Sequence, residues 1–196
     1  MFADDPKAML ARYLDVAHDA LLWKLDGLSE FDLRRPLTPT GTNLLGIVKH
    51  LAWVELGYLG DVFGRPHGID LGDDTDEINA DMYARADESV AEIMNLFGAA
   101  QRHAGETIDA LDLDTEGHVP WWGDMNPVTL QWIVIHMATE MHRHLGQIDI
   151  LREGLDGEVG YRLGGTNLPG PDEFDWPGYV ERLQTIADAA AGPVAP

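Results

Sequence analysis

Four long stretches of this chain place apolar residues three and four positions apart, and none alternates apolar with polar as a half-buried strand would. A chain patterned this way buries helical stripes against one another, so the expectation is an all-α protein built on a four-helix bundle. The first stretch runs roughly over residues 5–28, with Leu10, Leu14, Ala17, Leu21 and Leu25 as its stripe. It starts where Asp4 and Asp5 precede Pro6, which is tolerated at the first helical position. The second covers roughly 43–63 and carries Ile47, His50, Leu51, Val54 and Tyr58 on one face. The third covers roughly 88–111, with Ile93, Leu96, Phe97, Ala100, Ala104 and Ile108 inside. The fourth is expected to be capped by Asn126, to take Pro127 into its first turn and to end near Glu153, before Gly154 and Gly157. A short turn or helix is expected at "SEFDLRR", and the acidic stretch "DLGDDTDEINADMYARAD" reads as a loop or a poorly ordered helix start. The connections between the second and third and between the third and fourth helices are long, which predicts a crossover topology rather than tight up-down hairpins.

After Gly160 the composition shifts to a Gly/Pro-rich stretch, "YRLGGTNLPGPDEFDWPGY", followed by a short helix over 179–190. The expected organisation is therefore a bundle over residues 1–160 and an extension over 161–196 that packs on the bundle or on a second subunit. A formal charge of −21 repels phosphate backbones and anionic lipid, so nucleic-acid and membrane-surface roles are disfavoured. No apolar run approaches the length of a membrane span, and the acidic start "MFADDPKAMLARYLD" does not read as a signal peptide. A cytoplasmic location is the resulting expectation. The chain has no cysteine, which excludes thiolate ligands and a cysteine nucleophile; any thiol chemistry needs a thiol brought by a substrate.

The chemistry concentrates in "WIVIHMATEMHRHLGQIDILRE", residues 132–153. Residues four apart on a helix lie one turn apart on one face, so Glu140 and His144 can hold one ion from a single helix. His136 sits a turn earlier, rotated by roughly 40°. Ile133, Met137, Gln147 and Leu151 share that face, while His142 points away. An ionised glutamate buried without a partner costs several kcal/mol, roughly, which a cation removes. His50 on the second helix would complete a two-histidine, one-carboxylate set suited to Zn²⁺, Ni²⁺, Co²⁺ or Fe²⁺ with a coordination position left open. Spacing alone leaves plainer readings in place. A histidine on an apolar face is commonly a hydrogen-bonded core residue, and Glu140 can pair with Arg143 or Arg102. His136 is read as a supporting neighbour rather than a ligand. No HExxH is present, nor the paired ExxH of diiron bundles. Trp53, Trp121, Trp122, Trp132 and Trp176 are expected to be core or loop anchors, with Trp121 and Trp122 near enough to the fourth helix to roof a pocket. Asp149, Arg152 and Glu153 are expected in ion-pair or capping roles.

"GTNLLGIVKHLAWVELGYLGDVFG" followed by "PVTLQWIVIHMATEMHRHLGQIDILREGLDG" resembles the DinB-like superfamily. The resemblance is to its actinobacterial domain-of-unknown-function branch, related to the metal domain of mycothiol-dependent maleylpyruvate isomerase and to mycothiol S-transferases. It extends over roughly residues 5–160. It implies a four-helix bundle with a divalent ion, Zn or alternatively Ni or Fe, held by His50, Glu140 and His144. It also implies a supporting place for His136 and Gln147; relatives vary between acidic residue and histidine at the latter, and a glutamine there has no proton to exchange. Characterised members transfer or isomerise through mycothiol, bacillithiol or glutathione, so the implied partners are a small-molecule thiol and an electrophile, and a homodimer is the implied assembly. Two rival expectations stand beside a thiol S-transferase: a metal-dependent hydrolase that activates water, and a non-catalytic metal-binding stress protein.

Overall fold

The computed structural model describes residues 5–71 and 77–191. Helix α1 spans Pro6–Leu25, capped by the Asp5 carboxylate, which accepts from the backbone N–H groups of Lys7 and Ala8. It ends with the last residue of its stripe, three residues before the expected bound near 28. Helix α2, Glu30–Arg34, is the short element at "SEFDLRR", capped by Ser29. Helix α3 spans Leu44–Leu59 and gives way at Gly60 to a single 3-10 turn, Asp61–Phe63, so the second stretch is two elements rather than one. Helix α4, Val90–Ala110, opens with a reciprocal capping box between Ser89 and Glu92. Helix α5 runs for 27 residues, Leu130–Asp156, and stops at Gly157 in the left-handed region (φ 80°). Helix α6, Trp176–Ala191, lies in the extension and has no buried residue.

The start of α5 differs from expectation. Asn126 does not cap it; its side chain is committed to its own loop, accepting from Val119 N–H at 2.7 Å and donating to Val119 C=O at 2.7 Å. Thr129 caps α5 instead, accepting from Trp132 N–H, and Pro127 stays outside the helix. Just before the cap, Val128–Thr129 (β2) pairs antiparallel with Glu116–Gly117 (β1), a two-residue ladder that periodicity did not predict.

Helices α1, α3, α4 and α5 pack as one bundle around Leu21, Leu51, Phe97, Ile133 and Met137, all fully buried. Cross-helix contacts give its directions. Lys7 near the start of α1 reaches the Asp109 carbonyl near the end of α4, and His18 meets Phe97, so those two are antiparallel. Lys49 pairs with Glu88 just before α4, and Gly60 faces His103 further along it, so α3 and α4 run the same way. His50 meets His144 and Tyr58 meets His136, so α3 and α5 are antiparallel. The expected crossover follows: the chain must travel back along α3 before α4 can begin.

That return strand of chain is pinned from three sides. Asn43 donates to the Met82 carbonyl at 3.1 Å. Lys49, 1 % exposed, donates to the Tyr83 carbonyl and to Glu88 at 2.8 Å. Arg34 of α2 donates to the carbonyls of Ala84, Arg85 and Glu88. Gly46 permits the approach, because a Cβ there would lie 1.8 Å from the Met82 carbonyl oxygen. At the far end, Arg152 of α5 donates to the Lys24 and Asp26 carbonyls, satisfying acceptors left open at the end of α1, and pairs with Asp156. Asp149 pairs with Lys24 at 3.0 Å, so both residues hold ion-pair roles.

Candidate metal centre

His50 lies in the second turn of α3, whose first turn Asn43 fixes by accepting from Gly46 N–H at 2.7 Å. Glu140 and His144 lie one turn apart on the facing side of α5. The structure brings these three together: one ligand atom from each lies within 4.8 Å of the others. Both Nε2 atoms converge on a single carboxylate oxygen, Glu140 Oε1, at 3.5 Å from His50 and 3.1 Å from His144. The two imidazole rings are 4.9 Å apart, edge to face. Among the described residues Glu140 pairs with His50 and His144 and with neither Arg143 nor Arg102.

The outer nitrogens decide what the inner ones offer. His50 Nδ1 lies 2.6 Å from Asp81 Oδ2. An ionised carboxylate only accepts, so this nitrogen carries the proton. His144 Nδ1 lies 2.8 Å from Gln147 Oε1, an amide oxygen that likewise accepts. In its neutral form each ring therefore turns an Nε2 lone pair toward the Glu140 oxygen. Three lone pairs meeting in one place repel unless a proton or a cation lies among them. Where protons rather than a cation fill that place, burial works to raise the pKa of Glu140, but the charge of His144 and hydrogen bonds from His50 and His144 outweigh it and hold the carboxyl below its ordinary range. The group is thus an anionic oxygen and two nitrogens with fixed tautomers, a donor set that fits a borderline divalent ion.

Gln147 lies against His144, its Oε1 on the ring's Nδ1. His136 sits elsewhere. Its ring packs against Tyr58 at 4.7 Å and edge-on against Trp122 at 4.9 Å, and desolvation lowers its pKa, opposed by the Glu140 charge. Trp121 joins this aromatic group by donating to the Tyr58 hydroxyl at 3.3 Å, while remaining 64 % exposed. His142 is exposed and turned to the Ala138 carbonyl. Asp81 is the residue that sequence reasoning missed. It sits in a 3-10 turn, Ala80–Met82, inside the acidic stretch read as a loop or helix start.

A bundle of crossed-over helices that gathers two imidazoles and one carboxylate between α3 and α5 defines a class of helical proteins with a donor group able to hold a cation. The family model for mycothiol S-transferase matches residues 9–157, and the chain belongs to that family. Among solved structures, the chain is similar to a conserved protein from Enterococcus faecalis, with a TM-score of 0.60 and 16% identity over 80% of this chain and 100% of that one. That likeness shows the shared fold. A comparison with curated proteins returned no match. Among the described residues, no helix is long and apolar enough to cross a membrane.

Proposed function

We propose that this protein is a metal-dependent thiol S-transferase that joins a mycothiol-type low-molecular-weight thiol to an electrophile. The observation that carries the reading is the convergence of both Nε2 atoms on Glu140 Oε1, with Asp81 and Gln147 fixing the outer protons. A divalent cation held by His50, Glu140 and His144, Zn²⁺ by preference with Ni²⁺ or Fe²⁺ as alternatives, supplies a Lewis acid that favours the thiolate form of an incoming thiol at neutral pH. The remaining duties fall to the chain. Asp81 and Gln147 hold the two rings in one tautomer, so no reorganisation is needed when substrate arrives. Three protein donors leave room for one exogenous sulfur. In the transfer, sulfur forms a bond to the electrophilic carbon, the leaving group departs with the bonding pair, and the thiol proton passes to solvent. The absence of cysteine fits a chemistry in which the only thiol is the substrate's.

We place the protein in the cytoplasm, as a homodimer, with residues 161–196 as an appendage of the 1–160 bundle; the lack of any buried residue in α6 supports that division. The test is elemental analysis of the purified protein beside His144→Ala, followed by turnover of mycothiol with a haloarene or bimane electrophile. About one equivalent of metal, lost in the variant, and metal-dependent conjugate formation are expected. Equal metal content in both proteins, or no rate above background with any low-molecular-weight thiol, overturns the reading.

A further inference from the structure

A cavity of about 480 Å³ lies on the flank of α5 next to the cation cluster. Thr38, Thr42, Arg143, Gln147, Ile150 and Leu151 line it. Gln147 is the shared wall, since its Oε1 accepts from His144 Nδ1. Thr42 N–H donates to Thr38 Oγ1 at 3.1 Å, which folds the 38–42 loop into a turn beside α5. Arg143 is exposed, and among the described residues it makes no hydrogen bond or ion pair.

That freedom is informative in this chain. Acidic side chains outnumber basic ones by 34 to 13, and Lys24, Arg34, Arg35, Lys49, Arg85 and Arg152 are all ion-paired; Arg12 and Arg102 are as uncommitted as Arg143, but of the three only Arg143 lines this cavity. A surface of charge −21 repels anions, so an anionic substrate can settle only where a local cation offsets the field. An uncommitted guanidinium offers a planar fork matched to a carboxylate. Two threonine hydroxyls add donors, and Ile150 and Leu151 supply an apolar wall.

We propose that this cavity seats the electrophilic substrate, and that the substrate is a carboxylate-bearing molecule with an apolar body. Arg143 takes the carboxylate, Ile150 and Leu151 take the body beside it, and the reacting end extends past Gln147 and the His144 ring to the cation cluster. This rests on the S-transferase reading for the reaction, but the anion site itself can be measured without it.

The direct measurement is calorimetric titration with 3-nitrobenzoate and its neutral match, 3-nitrobenzamide, on Zn²⁺-loaded and metal-free protein. The acid is expected to bind more tightly than the amide with or without metal, and Arg143→Ala to weaken it about tenfold, the usual scale of one charge-assisted contact. Arg12→Ala, which removes an exposed charge from α1, is expected to leave the preference unchanged. The kinetic arm compares 4-chloro-3-nitrobenzoate with its amide at fixed mycothiol; the thiolate replaces chloride, which leaves with its bonding pair. The acid-to-amide ratio of kcat/KM is expected to fall about tenfold in Arg143→Ala. No detectable binding of the acid, equal affinity for acid and amide, a preference indifferent to Arg143, or binding that vanishes with the metal overturns the proposal. So does an Arg143 effect that follows the carboxylate of the thiol, seen by comparing cysteine with cysteamine. Arg143-dependent binding without any turnover sinks the S-transferase reading and leaves the anion site standing; turnover with an Arg143-independent ratio does the reverse.

Discussion

Removing the Asp81 carboxylate tests whether the return segment tunes the cation cluster. Its Oδ2 accepts from His50 Nδ1 at 2.6 Å, and both side chains are mostly buried. Without that acceptor the His50 ring is free to turn and to move its proton to Nε2, which removes one lone pair from the cluster. Loss of a carboxylate behind a metal-binding histidine weakens metal affinity by roughly 10–100-fold, about 1.4–2.8 kcal/mol. Asp81→Ala is expected to show that full loss. Asp81→Asn keeps an acceptor oxygen but loses the charge, and charge-assisted bonds are roughly twice as strong as neutral ones, so about half the free-energy effect is expected. The assay is Zn²⁺ competition against a chromophoric chelator, with circular dichroism to confirm that both variants fold. If wild type, Asp81→Asn and Asp81→Ala bind Zn²⁺ equally, the tautomer argument fails, and with it the claim that Nε2 is the ligand atom of His50.

Two further outcomes are expected. The His136 pKa is lowered in the folded protein, chiefly by desolvation. The unfolded chain therefore takes up a proton first as pH falls through the ordinary histidine range, so the stability present above that range declines below it until the folded pKa is passed. Melting curves of the metal-free protein between pH 8 and pH 5, an interval set by an ordinary histidine pKa of about 6.5, should show this decline, and His136→Asn should flatten it; an equal slope in both would contradict the assignment. Gly46→Ala puts a methyl group 1.8 Å from the Met82 carbonyl oxygen, so the Ala80–Met82 turn must move. Overpacking of this kind costs about 1–3 kcal/mol and should lower Tm; because Asp81 sits in that turn, Zn²⁺ affinity should fall as well, and unchanged affinity would show the two regions to be uncoupled.

The bundle was legible because four apolar stripes of helical period leave few other ways to bury themselves. The pairing of Glu140 with His144 was legible for the same geometric reason, since a spacing of four fixes neighbours on a helix. His50 was reachable as a polar residue within an apolar face of α3. Asp81 was not, because its contact spans 31 residues and its stretch holds many carboxylates that a sequence cannot rank. The pair of His18 with Glu55, at 2.9 Å and almost wholly buried, escaped for a similar reason: each residue alone looks like an exception on its own helix. The start of α5 was misplaced because Asn126 and Pro127 carry a helix-entry signature, while the backbone of Val119, seven residues earlier, claims the asparagine first.

The same-way course of α3 and α4 has a chemical consequence. A bundle joined by tight hairpins would have no strand of chain lying along the outside of α3, and nothing there to touch the imidazole of His50. Here the detour between the two helices delivers a carboxylate to that ring. In the proposed cation site the scaffold supplies the donors from its helices, while the connection over residues 77–89, through Asp81, sets which nitrogen of one of them is left to bind.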